Sequence, residues 1–288
     1  MQAKFRFQYL VIPLLFWTDM LHAAGVATWY KPSELPTLLA LVILSSAIIY
    51  FIVKAKAGEK LYIRRIPALN SIDEAIGRAT EMGRAAYFIP GIMDIDDIQT
   101  LAGLNILGNV ARTTANYDCD LKVPVSRSMV LGTAQEVVKE SYLRTGHPDL
   151  YQESNLMYIT DDQFAFAAGV NGMFVREKPA AVFMLGMFYA ESLLLAETGN
   201  SIGAIQVAGT AEPSQLPFFV AACDYVLIGE ELFAASAYLS KEPRLLGSLK
   251  GQDVGKFIII FTVFAGSVLE ISIRIFGLSE QWSVLNLF

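Results

Sequence analysis

Charge is scarce in this sequence. Asp, Glu, Lys and Arg make up 17% of its 288 residues, against about 25% in an ordinary soluble domain. So few water-facing side chains cannot cover a normal globular surface, and 54% of the residues are apolar. Cysteine is nearly absent: Cys119 and Cys223 cannot build a disulfide framework for so long a chain. Histidine is as rare, and neither His22 nor His147 has a cysteine near it in sequence, so no zinc spacing exists. A phosphate-cradling G-x-x-x-x-G-K-[ST] loop is missing, as is a complete G-x-G-x-x-G after an apolar run. That argues against either familiar nucleotide site, and no cofactor is expected. Basic excess is missing too. With 22 Lys and Arg against 28 Asp and Glu, the net charge is −6, which argues against gripping nucleic acid as the main role.

What is present in excess is apolar sequence, concentrated toward the two ends. Leu38 to Val53 carries no charge, and Leu35-Pro36-Thr37 extends it toward the length of about 20 residues that a membrane helix needs. Phe257 to Leu278 is a second run, interrupted only by Glu270 and Arg274. A shorter run, Tyr9 to Trp17, follows Lys4 and Arg6 and precedes Ala23-Ala24-Gly25. It reads either as an uncleaved membrane helix or as a signal-like or interfacial segment. The expected organisation is an N-terminal hydrophobic segment over residues 1–34 and a membrane helix over 35–53. An α/β domain over 54–255, a membrane helix over 256–278 and a tail over 279–288 complete it.

Lys54, Lys56, Lys60, Arg64 and Arg65 cluster after the second hydrophobic run, and Lys256 opens the last one. By the positive-inside rule this basic collar puts the central domain in the cytoplasm. Residues 57–255 hold 15 Lys and Arg against 24 Asp and Glu, a net of −9. The collar is attracted to an anionic leaflet, or simply signals topology.

Within the domain, short apolar runs alternate with helical stretches. Strands are expected at Ala86–Ile89, Leu121–Val125, Met157–Thr160, Ala181–Leu185, Gly203–Ala208 and Tyr225–Ile228. Helices are expected at 72–82, 96–116, 129–144, 162–175, 187–198, 214–222 and 230–240. This alternation predicts a doubly wound, mainly parallel, Rossmann-like sheet, and the unbroken apolar strands fit burial on both faces. Ser71–Glu74 and Thr160–Gln163 fit capping boxes, while Gly146-His147-Pro148 and Gly199-Asn200 fit helix ends. Asp118-Cys119-Asp120 and Ala222-Cys223-Asp224 each precede a strand, which hints at two related units.

In a parallel sheet, ligands bind beyond the carboxyl ends of the strands. Ser126, Arg127 and Ser128 there can hold an anion at a helix N-terminus, or serve as caps. Thr210 and Glu212 belong to the same candidate ligand site. Asp161, Asp162, Glu230 and Glu231 are candidate oxygen ligands for a divalent cation, or favour helix first turns through the macrodipole. Cys119 and Cys223 precede buried strands and read as inert packing residues. Glu270 and Arg274, four apart on the last apolar run, form a candidate intramembrane pair. Arg274 instead snorkels, or Thr262 and Gly266 on the same face mediate helix association.

Three strings carry a family resemblance: FIPGIMDIDDIQTLAGLNILGNVARTTANYDCDLKVPVSRSMVLGTAQEVVKESY, GTAEPSQLPFFVAACDYVLIGEELFAASAYLS and LLGSLKGQDVGK. Together they resemble a prokaryotic, membrane-anchored family catalogued as a domain of unknown function. The resemblance implies an α/β domain between membrane segments, and no catalytic residues. The leading expectation is a scaffold or structural subunit that forms a homo-oligomer or docks onto a larger membrane complex, because helices such as those around Phe164-Phe166 and Leu216–Phe219 stay apolar. A ligand sensor or enzyme at the strand ends is the alternative, as is an accessory subunit of a transport or electron-transfer complex.

Overall fold

Six parallel strands form the centre of the protein in the order β3-β2-β1-β4-β5-β6. A computed structural model provides the coordinates, and it describes residues 35–59 and 66–276. The chain divides into two compact units, residues 51–250 and residues 1–50 with 251–288. The sheet belongs to the first. Its strands are β1 (Ala86–Gly91), β2 (Leu121–Val125), β3 (Leu156–Tyr158), β4 (Ala181–Met187), β5 (Ile205–Thr210) and β6 (Tyr225–Ile228). Every pairing is parallel. In β1 and β4 every residue is buried, as the unbroken apolar runs require of central strands covered on both faces.

Helices cover both faces. Leu232 and Ala235 of α8 (Glu230–Ser240) share one core with residues of α2 (Pro67–Met82), α3 (Ile98–Tyr117) and α4 (Ser128–Thr145). That core closes over Phe88, Val123, Phe183 and Val207. The second core joins α5 (Gln163–Glu177), α6 (Glu191–Ser201) and α7 (Leu216–Ala222) to the other sheet face. There Phe166, Val170 and Phe174 meet Tyr87, Ile89 and Met184. The two edge-on ring pairs Tyr87–Phe174 and Phe188–Phe219, at 5.3 and 5.4 Å, fall in the range aromatic contacts prefer. The expected doubly wound sheet is therefore present.

Several local signals resolve differently from the sequence expectation. Ser71 is buried inside α2, which starts at Pro67 in the first-turn position that proline favours. Asp162, not Thr160, caps α5, accepting from the Ala165 amide at 2.8 Å. Gly199 does not end α6: it lies inside the helix, where a Cβ would strike the Gln206 carboxamide. Gly146 does end α4, in the left-handed conformation. The two Cys-Asp pairs occupy unlike places, before the second strand of one half-sheet and the third of the other. They mark no repeat.

Two further helices are long and apolar enough to cross a membrane: α1 (Leu35–Lys56) and α9 (Pro243–Phe276). The last apolar run thus belongs to a helix that begins well before Phe257. Its polar start carries Gly247, Gly251 and Gly255, where a Cβ would press on Ile52, Ile48 and Leu44 respectively. Stepping by four along both chains in opposite directions, these contacts define an antiparallel helix pair in close approach. The Thr262 hydroxyl turns back to the Ile258 carbonyl at 2.8 Å.

Candidate functional site

The carboxyl ends of β1 and β4 meet where the strand order reverses, the place at which open α/β sheets hold ligands. Here that crevice is filled. β1 and β4 stay paired to Gly91 and Met187, with a register shift after Ile89 at Pro90, a residue that cannot donate to a ladder. A Cβ on Gly186 would strike the Pro90 carbonyl, and one on Gly103 the Leu185 carbonyl, so glycine lets β1, β4 and α3 approach to backbone contact. Over this closed seam lies Gln99, from the first turn of α3. Its Oε1 accepts from the Thr210 hydroxyl at 3.1 Å and the Ala211 amide at 2.6 Å, and its Nε2 donates to Met187 Sδ at 2.9 Å.

The network continues along the rim. Thr210 Oγ1 accepts from the Glu212 amide at 3.2 Å, Glu212 accepts from the Ser214 hydroxyl at 2.8 Å, and Ser214 accepts from Gln215 Nε2 at 2.9 Å. Ser192 then donates to Gln215 Oε1 at 2.9 Å. Beside it, Glu191 is completely buried. Its carboxylate accepts from the Tyr189 amide at 2.8 Å and from Gln163 Nε2 at 2.6 Å. Its place in the first turn of α6 adds the favourable end of that helix's dipole. These groups are matched to one another, an arrangement suited to holding three loops in place.

The start of α3 is also occupied. Asp97 accepts from the Gln99 and Thr100 amides at 2.9 Å each, so a carboxylate of the chain itself sits on the helix N-terminus that would otherwise receive a phosphate. Asp94 and Asp96 add negative charge to the same loop.

Strand order separates the residues that sequence grouped together. Asp161 and Asp162 follow β3, whereas Glu230 and Glu231 follow β6, at opposite edges of the sheet. Five strand spacings put these pairs about 24 Å apart, so the four carboxylates are not brought together. Among the described residues, no group of three or more His, Cys, Asp or Glu is placed to hold a metal. Likewise Ser126–Ser128 follows β2 and Thr210–Glu212 follows β5, with β1 and β4 between them. Ser126 is buried and donates to the Ile92 carbonyl at 2.9 Å. Arg127 Nε reaches the same carbonyl at 3.2 Å, and its guanidinium faces Asp161 at 3.8 Å, a long, half-exposed pair of little energetic weight. Neither Ser126 nor Ser128 caps α4, whose N-cap is Arg127. Glu270 is half-buried on α9, and the Arg274 side chain lies outside the described residues.

Both thiols are held above their ordinary value. Burial raises the Cys119 thiol, and burial with the Asp224 charge pushes Cys223 up to about 12. A Gly-x-Ser-x-Gly string does occur, Gly199–Gly203, where no nucleophile elbow is formed. It closes α6 and leads into β5, helix to strand rather than strand to helix, and Ser201 donates to the Thr198 carbonyl at 2.8 Å. At the opposite, amino end of the sheet, a cleft of about 150 Å³ lies between the starts of β2 and β3, beside Asp118, Tyr142 and Tyr151. It is smaller than the 300 Å³ or so at which small-molecule sites begin.

A family model described as a domain of unknown function, DUF6754, matches residues 25–280. The chain belongs to that family. No curated protein and no solved structure matches the chain. For this DUF6754 member the working parts are therefore those its own geometry exposes. Gln99, Gln163, Glu191, Ser192 and Gln215 were not legible as a site, since polar residues in first helical turns look like ordinary solvation. Only the strand order lays the α3 start over the end of β5.

Proposed function

We propose that the protein is a membrane-anchored structural subunit that self-assembles through the α7–β6 edge of its α/β domain. The observation that carries this reading is the composition of that edge. α7 contains no charged residue, yet Phe218 and Val220 face outward, Val220 at 57% exposure. Tyr225 and Ile228 of the edge strand β6 extend the apolar surface. Adjacent exposed apolar side chains on two elements are what protein interfaces use. β6 is also blunted as a template, because Glu231 accepts from the Ile228 amide at 3.2 Å. Side chains of α7, not an added strand, therefore make the contact.

The closed carboxyl rim supports a structural role over ligand sensing. α1 and α9 supply the anchor, entering a prokaryotic inner membrane with the basic collar and the domain on the cytoplasmic side. Native mass spectrometry of the full chain in mild detergent tests the reading. A dimer or larger is expected, and Val220→Glu should shift it at least tenfold toward monomer while leaving thermal unfolding of the domain unchanged. A wild-type chain that is strictly monomeric would overturn self-assembly.

A further inference from the structure

At three glycines in its polar start α9 approaches α1 closely: Gly247 meets Ile52, Gly251 meets Ile48 and Gly255 meets Leu44. Lys250, Asp253 and Lys256 are interleaved with those glycines, so all three ionisable residues run alongside the second half of the charge-free stretch of α1. Beyond Lys256 the character of α9 changes abruptly. Phe257 to Phe264 are exposed without interruption, and so are Thr37 to Ser45 of α1. One bilayer cannot enclose both apolar runs of this pair without also enclosing the three charges.

From this register we infer that the hydrocarbon boundary crosses the helix pair at Lys256, opposite Leu44, so that residues 44–53 of α1 stand outside the bilayer. The inference rests on the reading that these helices meet a membrane. A charge at the centre of a membrane helix costs about five to ten times what one Leu or Ile returns on insertion. Ionisable groups stay costly to desolvate even when they are paired, so three of them on this stretch outweigh the ten residues from Leu44 to Val53. Those ten are already half-covered, because Ile48 and Ile52 lie against the α9 glycines. Lys256 then sits at headgroup level, where an ammonium meets lipid phosphate, and Ser45-Ser46 reach the same level on α1. Below the boundary, Phe257, Phe261 and Phe264 face acyl chains. Above it, α1 and the start of α9 form a two-helix stalk in water, held by glycine-on-isoleucine contact.

Cysteine accessibility tests this in the full chain, reconstituted in phosphatidylcholine–phosphatidylglycerol nanodiscs, whose two faces are both open to reagent. In a Cys119→Ser, Cys223→Ser background, single cysteines replace Leu39, Ile49, Val53, Ile259 and Val263, all of them exposed side chains. With a membrane-impermeant maleimide, Ile49→Cys and Val53→Cys should react within about threefold of the detergent-denatured chain. Leu39→Cys, Ile259→Cys and Val263→Cys should react at least tenfold more slowly. Protection of Ile49→Cys and Val53→Cys equal to that of Leu39→Cys would overturn the boundary while leaving the anchor intact. Fast reaction at Ile259→Cys and Val263→Cys would instead overturn membrane insertion itself. Environment-sensitive bimane fluorescence at the same positions provides a second measurement on the same variants.

Discussion

Gln99 ties the start of α3 to the end of β5 through one carboxamide oxygen, which takes both the Thr210 hydroxyl and the Ala211 amide. Methionine matches its length but offers neither group an acceptor. Each unsatisfied donor at a partly buried site costs about 1–3 kcal/mol, so Gln99→Met should lower stability by about 2 kcal/mol in urea unfolding. Gln99→Glu keeps an acceptor and should lose less; equal losses would show that the oxygen is not the reason. Glu177 works differently. Burial raises its carboxyl, but hydrogen bonds from Lys122 and Tyr87, both at 2.6 Å, outweigh that and hold it below the usual value. A depressed carboxyl contributes stability above the unfolded-state value, about 4.3. That contribution is lost as pH falls through the lower folded value. Glu177→Gln should therefore flatten the acid limb of a stability–pH curve below about pH 4.3 and leave its slope at neutral pH unchanged. Neither role is visible in sequence, since Gln99 lies 111 residues from Thr210 and Glu177 lies 90 from Tyr87.

At the scale of elements, α9 joins two kinds of helix surface in one unbroken rod. The 34 residues of α9 extend about 50 Å, and its first third meets α1 at three glycines. Gly251 is the central contact of that third, because its Cα faces the Ile48 backbone. Gly251→Ile should push the helices apart. Disulfide cross-linking between Leu44→Cys and Gly255→Cys should then fall at least fivefold, whereas Gly132→Ile on α4 should leave it unchanged. Element type followed well from apolar periodicity: β2, β6 and α8 have the expected bounds. Helix ends were less legible. Gly83 and Gly146 end two helices in the left-handed conformation, but Asp118, Lys178 and Lys241 do the same work without glycine. Nothing in composition distinguishes those three from solvated surface residues.

Across the whole molecule, the scarcity of charge has two destinations. Part of it belongs to α1 and α9, and the rest stays on the α/β unit, whose residues 57–255 nonetheless carry a net −9. Carboxylates gather at the ends of β1, β3, β5 and β6, while α5 has no charge between Asp162 and Arg176 and α7 has none at all. In the proposed assembly, like charge disfavours contact between the carboxyl rims of two copies and favours the α7–β6 edge; the Val220→Glu experiment belongs to this scale.

Sequence by itself determined the α/β class, the parallel sheet and the two apolar helices, because hydrophobic periodicity and run length are local properties. Only the tertiary structure decided which polar groups meet. The order β3-β2-β1-β4-β5-β6 separates carboxylates that sequence had grouped and lays the start of α3 over the end of β5, while close approach at three glycines sets α9 against α1. Those outcomes depend on chain crossings and close backbone approach between residues far apart in sequence, and local patterning carries no information about them.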